Sequence, residues 1–252
     1  MYKIPANTLF MGKNLVFVPE CHSTNTLALQ LAQNPSTPEG TVVITHDQTT
    51  GRGQRGNTWE SAPGMNLTFS ALLKPAFLGV KDQFYLNIIT SLAVHDFLAH
   101  RGLEPISIKW PNDILVHEKK ICGILIENQV QGSGFISAIV GIGLNVNQTQ
   151  FSTRSPTSVK LVTSNETNLR EALEGVLGHL EARYLQLRQN HLSALKALYL
   201  SRLYWRNEKH TFSTNAGVFE GQITTVDDVG RLVVETPEGT KLFEPKEIRF
   251  NT

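Results

Sequence analysis

The sequence predicts an α+β protein: a central mixed, largely antiparallel sheet flanked by helices, followed by a small β module. Three observations lead there. Successive strand-like runs fill Ile106 to Val146 with only short loops between them, and such connections favour antiparallel pairing. Helical periodicity gathers in separate stretches, at 81–100 and beyond 167. Near residue 208 the pattern changes to short strand runs broken by turn residues. The expected domains are 1–207 and 208–252, with a linker near Asn207–His210.

Taken in order, Leu15–Val18 is a short apolar strand that Pro19 is expected to end. Cys21-His22-Ser23-Thr24-Asn25-Thr26 then opens a helical pattern through Leu27, Leu31 and Ala32. Ser23, Thr24 or Asn25 can cap that helix, and the same groups can face a polar ligand at its free N–H groups. Thr41–Thr45 is a β-branched strand feeding a glycine-rich loop, and Asn66–Leu73 is an apolar strand. A helix is expected over Lys81–His100, with Leu86, Ile89, Ala93 and Phe97 on one stripe and Gly102 ending it. Ile106–Trp110, Ile114–Val116, Lys120–Glu127 and Phe135–Val146 are strands, the last two a hairpin across Gln131-Gly132-Ser133-Gly134. A polar stretch reaches Asn165. A helix starting near Thr167 or Asn168 carries Leu169, Leu173, Val176, Leu177, Leu180, Tyr184 and Leu187 on one face, and a second holds Leu192, Leu195, Leu198 and Tyr199. Gly217–Val226, Arg231–Glu235 and Lys241–Phe243 read as a compact, barrel-like β meander.

Composition excludes several classes. A formal net charge of +1 gives no global basic field of the kind non-specific nucleic-acid binders carry. Two distant cysteines, Cys21 and Cys122, give neither a metal-ligand spacing nor a disulfide framework, so a reducing, cytoplasmic setting is expected. No apolar run approaches the ~20 residues of a membrane span, and Met1–Lys13 does not read as a signal peptide.

The stretch Gln48–Trp59 is the candidate site. Gly51, Gly53 and Gly56 let the backbone approach a ligand closely, Arg52 and Arg55 supply forked donors, and Trp59 offers an aromatic face. An inert basic surface loop has the same composition. Gly51-x-Gly53-x-x-Gly56 matches the dinucleotide fingerprint, but Pro63 and Gly64 follow where a helix should start. It is no P-loop either, since Asn57 stands where the phosphate-binding lysine belongs.

Five segments together resemble one family, the biotin protein ligases. They are Ser23-Thr24-Asn25, the loop Gly51–Gly56 with Trp59, and Lys109-Trp110-Pro111-Asn112-Asp113, then Lys120–Leu125 and Gly141-Ile142-Gly143-Leu144-Asn145. Their order and spacing match the family's catalytic domain, and the resemblance covers essentially the whole chain. It implies a class II synthetase-like sheet with a small C-terminal SH3-like β-barrel. It resembles the short form without an N-terminal DNA-binding domain, because the first catalytic strand is expected by Leu15.

The resemblance implies ATP-dependent activation of biotin as biotinyl-5′-adenylate, then transfer to a lysine of a biotin carboxyl carrier protein domain, with Mg²⁺ accompanying ATP. It implies Lys120 and Arg52 as catalytic residues. For biotin it implies Ser23, Thr24, Asn25, Gln48, Gly51, Arg52, Gly53, Lys120, Gly123, Leu125, Gly141 and Gly143. For the adenylate it implies Arg52, Gln54, Arg55, Trp59, Asn112 and Asn145, with Asp113 near Mg²⁺ or the phosphates. Gln54 is a departure: many members carry arginine there, associated with retention of the adenylate. By analogy a homodimer through an exposed strand edge is expected, and no nucleic-acid or membrane partner. The rival classes are a lipoate–protein ligase and a non-catalytic biotin sensor. Without the resemblance, the reading of Lys120 as a solvated strand-start lysine beside Lys119 is the favoured one, and a turn-forming role for Asp113 stands close to the ligand role.

Overall fold

The computed structural model describes residues 2–251, with the side chain of Arg55 outside the description. Seven strands form the main sheet in the order β1-β2-β3-β7-β6-β5-β4. They are β1 (Leu15–Cys21), β2 (Val42–Gln48), β3 (Leu67–Leu73), β4 (Ile106–Lys109), β5 (Asp113–Val116), β6 (Lys119–Gln131) and β7 (Gly134–Leu144). Only β1 and β2 pair in parallel, so the mixed, largely antiparallel expectation holds. The turn at Gln131–Gly134 closes the expected β6–β7 hairpin, with Gly132 at a φ of 60°. Strand β1 runs through Pro19 rather than ending there. It is an edge strand, where a residue without an N–H loses no ladder bond on its open side.

Residue alternation divides the sheet's two faces. Val42, Ile44, Leu67, Phe69, Ala71, Ile124, Val140, Ile142 and Leu144 belong to the main core, with helix α2 (Phe84–His100). Helices α4 (Leu169–Arg188) and α5 (Leu192–Ser201) pack on α2 in turn. Sandwiched in this way, α2 is buried nearly all round, and the single apolar stripe expected of it understates its burial. On the opposite face helix α1 (Thr24–Ala32) covers Val43, Leu72 and Ile139, forming a smaller core. Beyond the N-terminus of α1 that face is left to small and polar residues.

The polar stretch before Asn165 hides a short helix, α3 (Val159–Thr163), whose cap Ser158 accepts from the Leu161 N–H. Asn168 caps α4 by accepting from the Arg170 and Glu171 amides, as its position in the sequence suggested.

The C-terminal module is an antiparallel sheet, β11-β10-β9-β8-β12. Its strands are β8 (Lys209–Thr214), β9 (Gly217–Val226), β10 (Leu232–Thr236), β11 (Gly239–Phe243) and β12 (Arg249–Phe250). The expected small β module is present as a five-stranded antiparallel sheet, but its end strands, β11 and β12, carry one pairing each and do not pair with one another, so the expected barrel closure is not seen among the described residues. The expected linker is not free chain. Lys209 and His210 already pair with Gln222 and Gly221, the Asn207 amide donates to Ile223 O, and Trp205 stacks on the His210 ring at 3.8 Å.

Trp110 joins module and main sheet. Its indole is buried and donates from Nε1 to Gly230 O at 2.9 Å, while Lys196 pairs with Asp228 at 2.7 Å nearby. Trp110→Phe keeps most of the packing but leaves the Gly230 carbonyl without its donor. A loss of about 1–2 kcal/mol in unfolding free energy is expected by denaturant titration, with the slope unchanged.

Candidate active site

Two neighbouring rows of the sheet build the floor of a cleft of about 580 Å³, within the usual size of small-molecule sites. The first row is Ser70–Gly141–Leu125 and the second is Thr68–Gly143–Gly123–Asp113. Row members lie two residues apart along β3, β6 and β7, so both rows face the same side. The intervening Phe69, Ile124 and Ile142 belong to the core. The alternation in Gly141-Ile142-Gly143-Leu144 is therefore functional on one face and structural on the other.

The glycines leave room for side chains lying on bare backbone. A Cβ on Gly141 would sit 2.2 Å from Asn25 Oδ1, and one on Gly143 would meet the Trp59 indole at 2.4–2.7 Å. A Cβ on Gly123 would also touch that indole, at 3.0 Å. Trp59 thus rests on the second row, with Lys120 Nζ 5.6 Å from its ring.

The loop that carries Trp59 is a small hairpin. Arg52 pairs with Thr58, the Gly53 amide donates to Asn57 O at 2.6 Å, and the Trp59 amide donates to Gly51 O at 3.0 Å. A short 3-10 turn, Gln54–Gly56, forms its tip. Gly51 is buried in the stem, where a Cβ would strike Trp59 O at 2.3 Å, so its role is in the hairpin and not on the cleft wall.

At the first row, helix α1 starts without a side-chain cap from Ser23. Gln48 takes that place, its Oε1 accepting from the Thr24 amide at 2.9 Å and from the Thr24 hydroxyl at 3.3 Å. The Ser70 hydroxyl lies 2.8 Å from Thr24 Oγ1 and 2.5 Å from Asn25 Oδ1. Asn25 Nδ2 donates to Leu125 O at 3.2 Å and to Glu127 Oε2 at 2.7 Å. Asn25 lines the cleft, yet its polar atoms are committed to protein partners.

At the second row Lys120 Nζ pairs with Asp113 Oδ1 at 2.6 Å, each partly exposed. Lys109 lies beside them, its Nζ 4.9 Å from the Phe250 ring. Burial holds the Lys109 ammonium below the usual lysine range; Asp113 opposes this and Lys120 adds to it. The Asn112 amide donates to Ile124 O at 2.6 Å, fixing the turn before β5 against β6.

Most of the expected site residues meet in this cleft: Ser23, Thr24, Asn25, Gln48, Arg52, Gly53, Gln54, Trp59, Asn112, Asp113, Lys120, Gly123, Leu125, Gly141 and Gly143. Asn145 is buried and is not among the lining residues, with Nδ2 donating to Thr157 O and a buried Oδ1 that lacks a partner among the described residues. Arg52, expected for both biotin and adenylate, lines the cleft with its head turned to one end. Its Nη2 donates to Thr26 Oγ1 at 3.2 Å and to Glu127 Oε2 at 3.1 Å. Glu127 and Lys120 are separated by seven steps of β6, roughly 20 Å at the rise of a strand. The Arg52 head therefore sits at the Asn25 end and away from Lys120.

Sequence reasoning missed the contribution of the C-terminal module. Pro245, Lys246, Ile248, Arg249 and Phe250 line the same cleft. The signal was faint: Lys246 and Arg249 flank Glu247-Ile248, in a module assigned by strand pattern alone. Glu127 was missed for a different reason, since on an exposed-looking strand end an acid carries no motif.

A mixed sheet bearing a glycine-floored cleft under a glycine-rich loop is the architecture of the biotin/lipoate A/B protein ligase family. That family's model matches residues 18–147, and the chain belongs to it. The bifunctional ligase/repressor BirA of Bacillus spizizenii is 34% identical over 251 residues, covering 96% of this chain and 76% of that protein. The biotin–[acetyl-CoA-carboxylase] ligase of Paracoccus denitrificans is 30% identical over 241 residues, covering 90% and 97%. Among solved structures, the Aquifex aeolicus biotin protein ligase in complex with biotin and ATP superposes with a TM-score of 0.78 at 27% identity, covering 95% of this chain and all of that one. Within the family, the chain belongs with the biotin protein ligases.

The close seat of Trp59 gives a test without ligands. Gly143→Ala forces the indole off the second row, and emission from Trp59 is expected to shift red and become more readily quenched by acrylamide. Comparing Trp59→Phe with and without the alanine isolates that change from Trp110 and Trp205.

Proposed function

We propose that this protein activates biotin with ATP to biotinyl-5′-adenylate and transfers the biotinyl group to a lysine of a biotin carrier protein domain. One observation carries the reading: a single cleft joins a neutral, hydrogen-bonding end to a strongly cationic one. At the first end Ser23, Thr24 and Gln48 line the cleft with donors and acceptors, which a buried ureido group requires. The cleft is also lined by Arg52, Lys109, Lys120, Lys246 and Arg249, against Asp113 as the one acid among its described lining residues. That balance suits a polyanion.

In the first step a biotin carboxylate oxygen attacks the α-phosphorus and pyrophosphate leaves. Two anions approach one another, so fixed positive charge is the main requirement. Lys120, held by Asp113 at the junction of the two ends, supplies it between carboxylate and phosphate. In the second step the carrier amine attacks the activated carbonyl carbon, the carbonyl–phosphate bond breaks and AMP leaves. Trp59 offers its open face to the adenine, and the loop that bears it shields the mixed anhydride from water.

For Mg²⁺ the fit is partial. Asp113 is already ion-paired, and among the described residues no group of three or more His, Cys, Asp or Glu could hold a metal. The ion would arrive on the triphosphate, as Mg²⁺ commonly does.

Incubation with biotin, Mg²⁺ATP and a biotin carrier domain is expected to add one biotinyl group to the carrier, read by mass. Pyrophosphate exchange supported by lipoate and not by biotin would overturn the assignment in favour of the sister activity. Lys120→Ala should bind biotin within about threefold of wild type while adenylate formation falls by about 100-fold or more. A mutant that biotinylates the carrier at the wild-type rate would remove Lys120 from the mechanism. Gln54 lines the cleft where many relatives carry arginine. Gln54→Arg should slow escape of the adenylate by about three- to tenfold, the worth of one added charge-assisted contact, measured by trapping released intermediate.

A further inference from the structure

We infer that Glu127 is a positioning residue: its carboxylate latches the stem of the glycine-loop hairpin to the neutral end of the cleft, so that filling that end and closing the loop are coupled. The inference rests on the biotin reading for the identity of the ligand, but the latch itself rests on geometry.

A single oxygen, Glu127 Oε2, accepts from Asn25 Nδ2 at 2.7 Å and from Arg52 Nη2 at 3.1 Å. Asn25 belongs to the first turn of α1 and Arg52 to the loop stem, so one carboxylate ties together two segments that also touch where Arg52 Nη2 donates to Thr26 Oγ1. Arg52 is also the residue paired with Thr58, next to Trp59. Holding the Arg52 side of the hairpin therefore holds the indole on Gly143 and Gly123.

The other end of the latch reaches the ligand subsite. Ser70 Oγ stands within hydrogen-bonding distance of both Thr24 Oγ1 and Asn25 Oδ1, and its one proton serves one of them at a time. A ligand donor that occupies Thr24 Oγ1 turns the Ser70 proton to Asn25. This leaves the Asn25 amide fixed with Nδ2 toward Leu125 O and Glu127. Ordering thus passes from Thr24 through Ser70, Asn25 and Glu127 to Arg52, all by direct contacts.

The pair's strength suits a latch that must also open. The Arg52 and Glu127 side chains are 43% and 30% exposed, so solvent screens their attraction, and neither charge is stranded when the loop lifts. Arg52 has a further anchor in the Thr26 hydroxyl, on the same helix as Asn25. No contact links Glu127 to Lys120 or Asp113, so the latch acts on placement and not on the reacting atoms.

The test uses the full chain and the variants Glu127→Gln and Glu127→Ala, each first checked for an unchanged melting temperature. Should the alanine variant fail to fold, the isosteric glutamine decides alone. Three readouts are compared with wild type: trypsin cleavage after Arg52 in the ligand-free protein, kinetic constants of biotin-dependent ATP–pyrophosphate exchange, and release of the adenylate. The latch predicts faster cleavage, a raised KM for biotin and faster release, each by about three- to tenfold, with kcat for exchange within about twofold. It also predicts that Glu127→Gln adds little further change in an Arg52→Gln background, because the two side chains act as one unit. Unchanged cleavage and release would overturn the latch, as would a loss in kcat alone or full additivity with Arg52→Gln. A wild-type protein without biotin-dependent exchange would instead overturn the functional reading, and the cleavage comparison would still judge the latch.

Discussion

Everything at this site depends on bare backbone at two adjacent rows of the sheet. Asn25 and Trp59 reach their positions because Gly141 and Gly143 present no side chain, and a methyl group at either would overlap its neighbour by more than a soft contact allows. The floor of β3, β6 and β7 is otherwise rigid, since each strand turns its alternate residues into the main core. Ligand space is thus created on one face by the pairing that secures the other. The loop, helix α1 and the C-terminal module are walls brought to a floor that is already fixed.

Charge is arranged on the same plan. The chain as a whole carries a formal +1, yet its cleft is lined by Lys109, Lys120, Lys246 and Arg249 with Asp113 as the one acid among its described lining residues, while Arg52 pairs with Glu127 at the other end. Such local concentration raises the affinity for a polyanion without a basic surface that would attract nucleic acid indiscriminately. Asp113 keeps the arrangement from repelling itself, since Lys120 is paired with it and Lys109 lies beside the pair. The depressed proton affinity of Lys109 is the cost of crowding: burial and a like charge together outweigh the acid.

Much of this was legible in the sequence because strands and glycines advertise themselves. Lys120–Glu127 and Phe135–Val146 were legible as strands, their site residues Gly123, Leu125, Gly141 and Gly143 followed from the family resemblance, and the antiparallel sheet followed from the short connections. The illegible parts have physical reasons. Pro19 looked like a strand end, but only the edge position of β1 decides whether a missing N–H matters. The linker disappeared because Trp205 and His210 stack across it, a contact between residues with no shared pattern. The Lys246–Phe250 segment joins the cleft only through the docking of the module, through Trp110 and Gly230, which no local periodicity encodes.

Arg52 shows how a correct motif can mislead about a single atom. The loop's composition offered its arginines as forked donors, and the family resemblance implied Arg52 for both biotin and adenylate. Its backbone does sit in the stem beside Trp59, but the guanidinium extends the other way, to Thr26 and Glu127. A flexible loop over a reactive intermediate needs both a charge that meets the ligand and an anchor that sets where the loop comes down. In this chain Lys120 and the basic residues of the C-terminal module can supply the first, so Arg52 is free to serve as the second. The glycine-rich loop is then best understood as a hairpin held at its stem by the Arg52–Glu127 ion pair, with Gln54 of its tip lining the cleft and Trp59 resting on the second row.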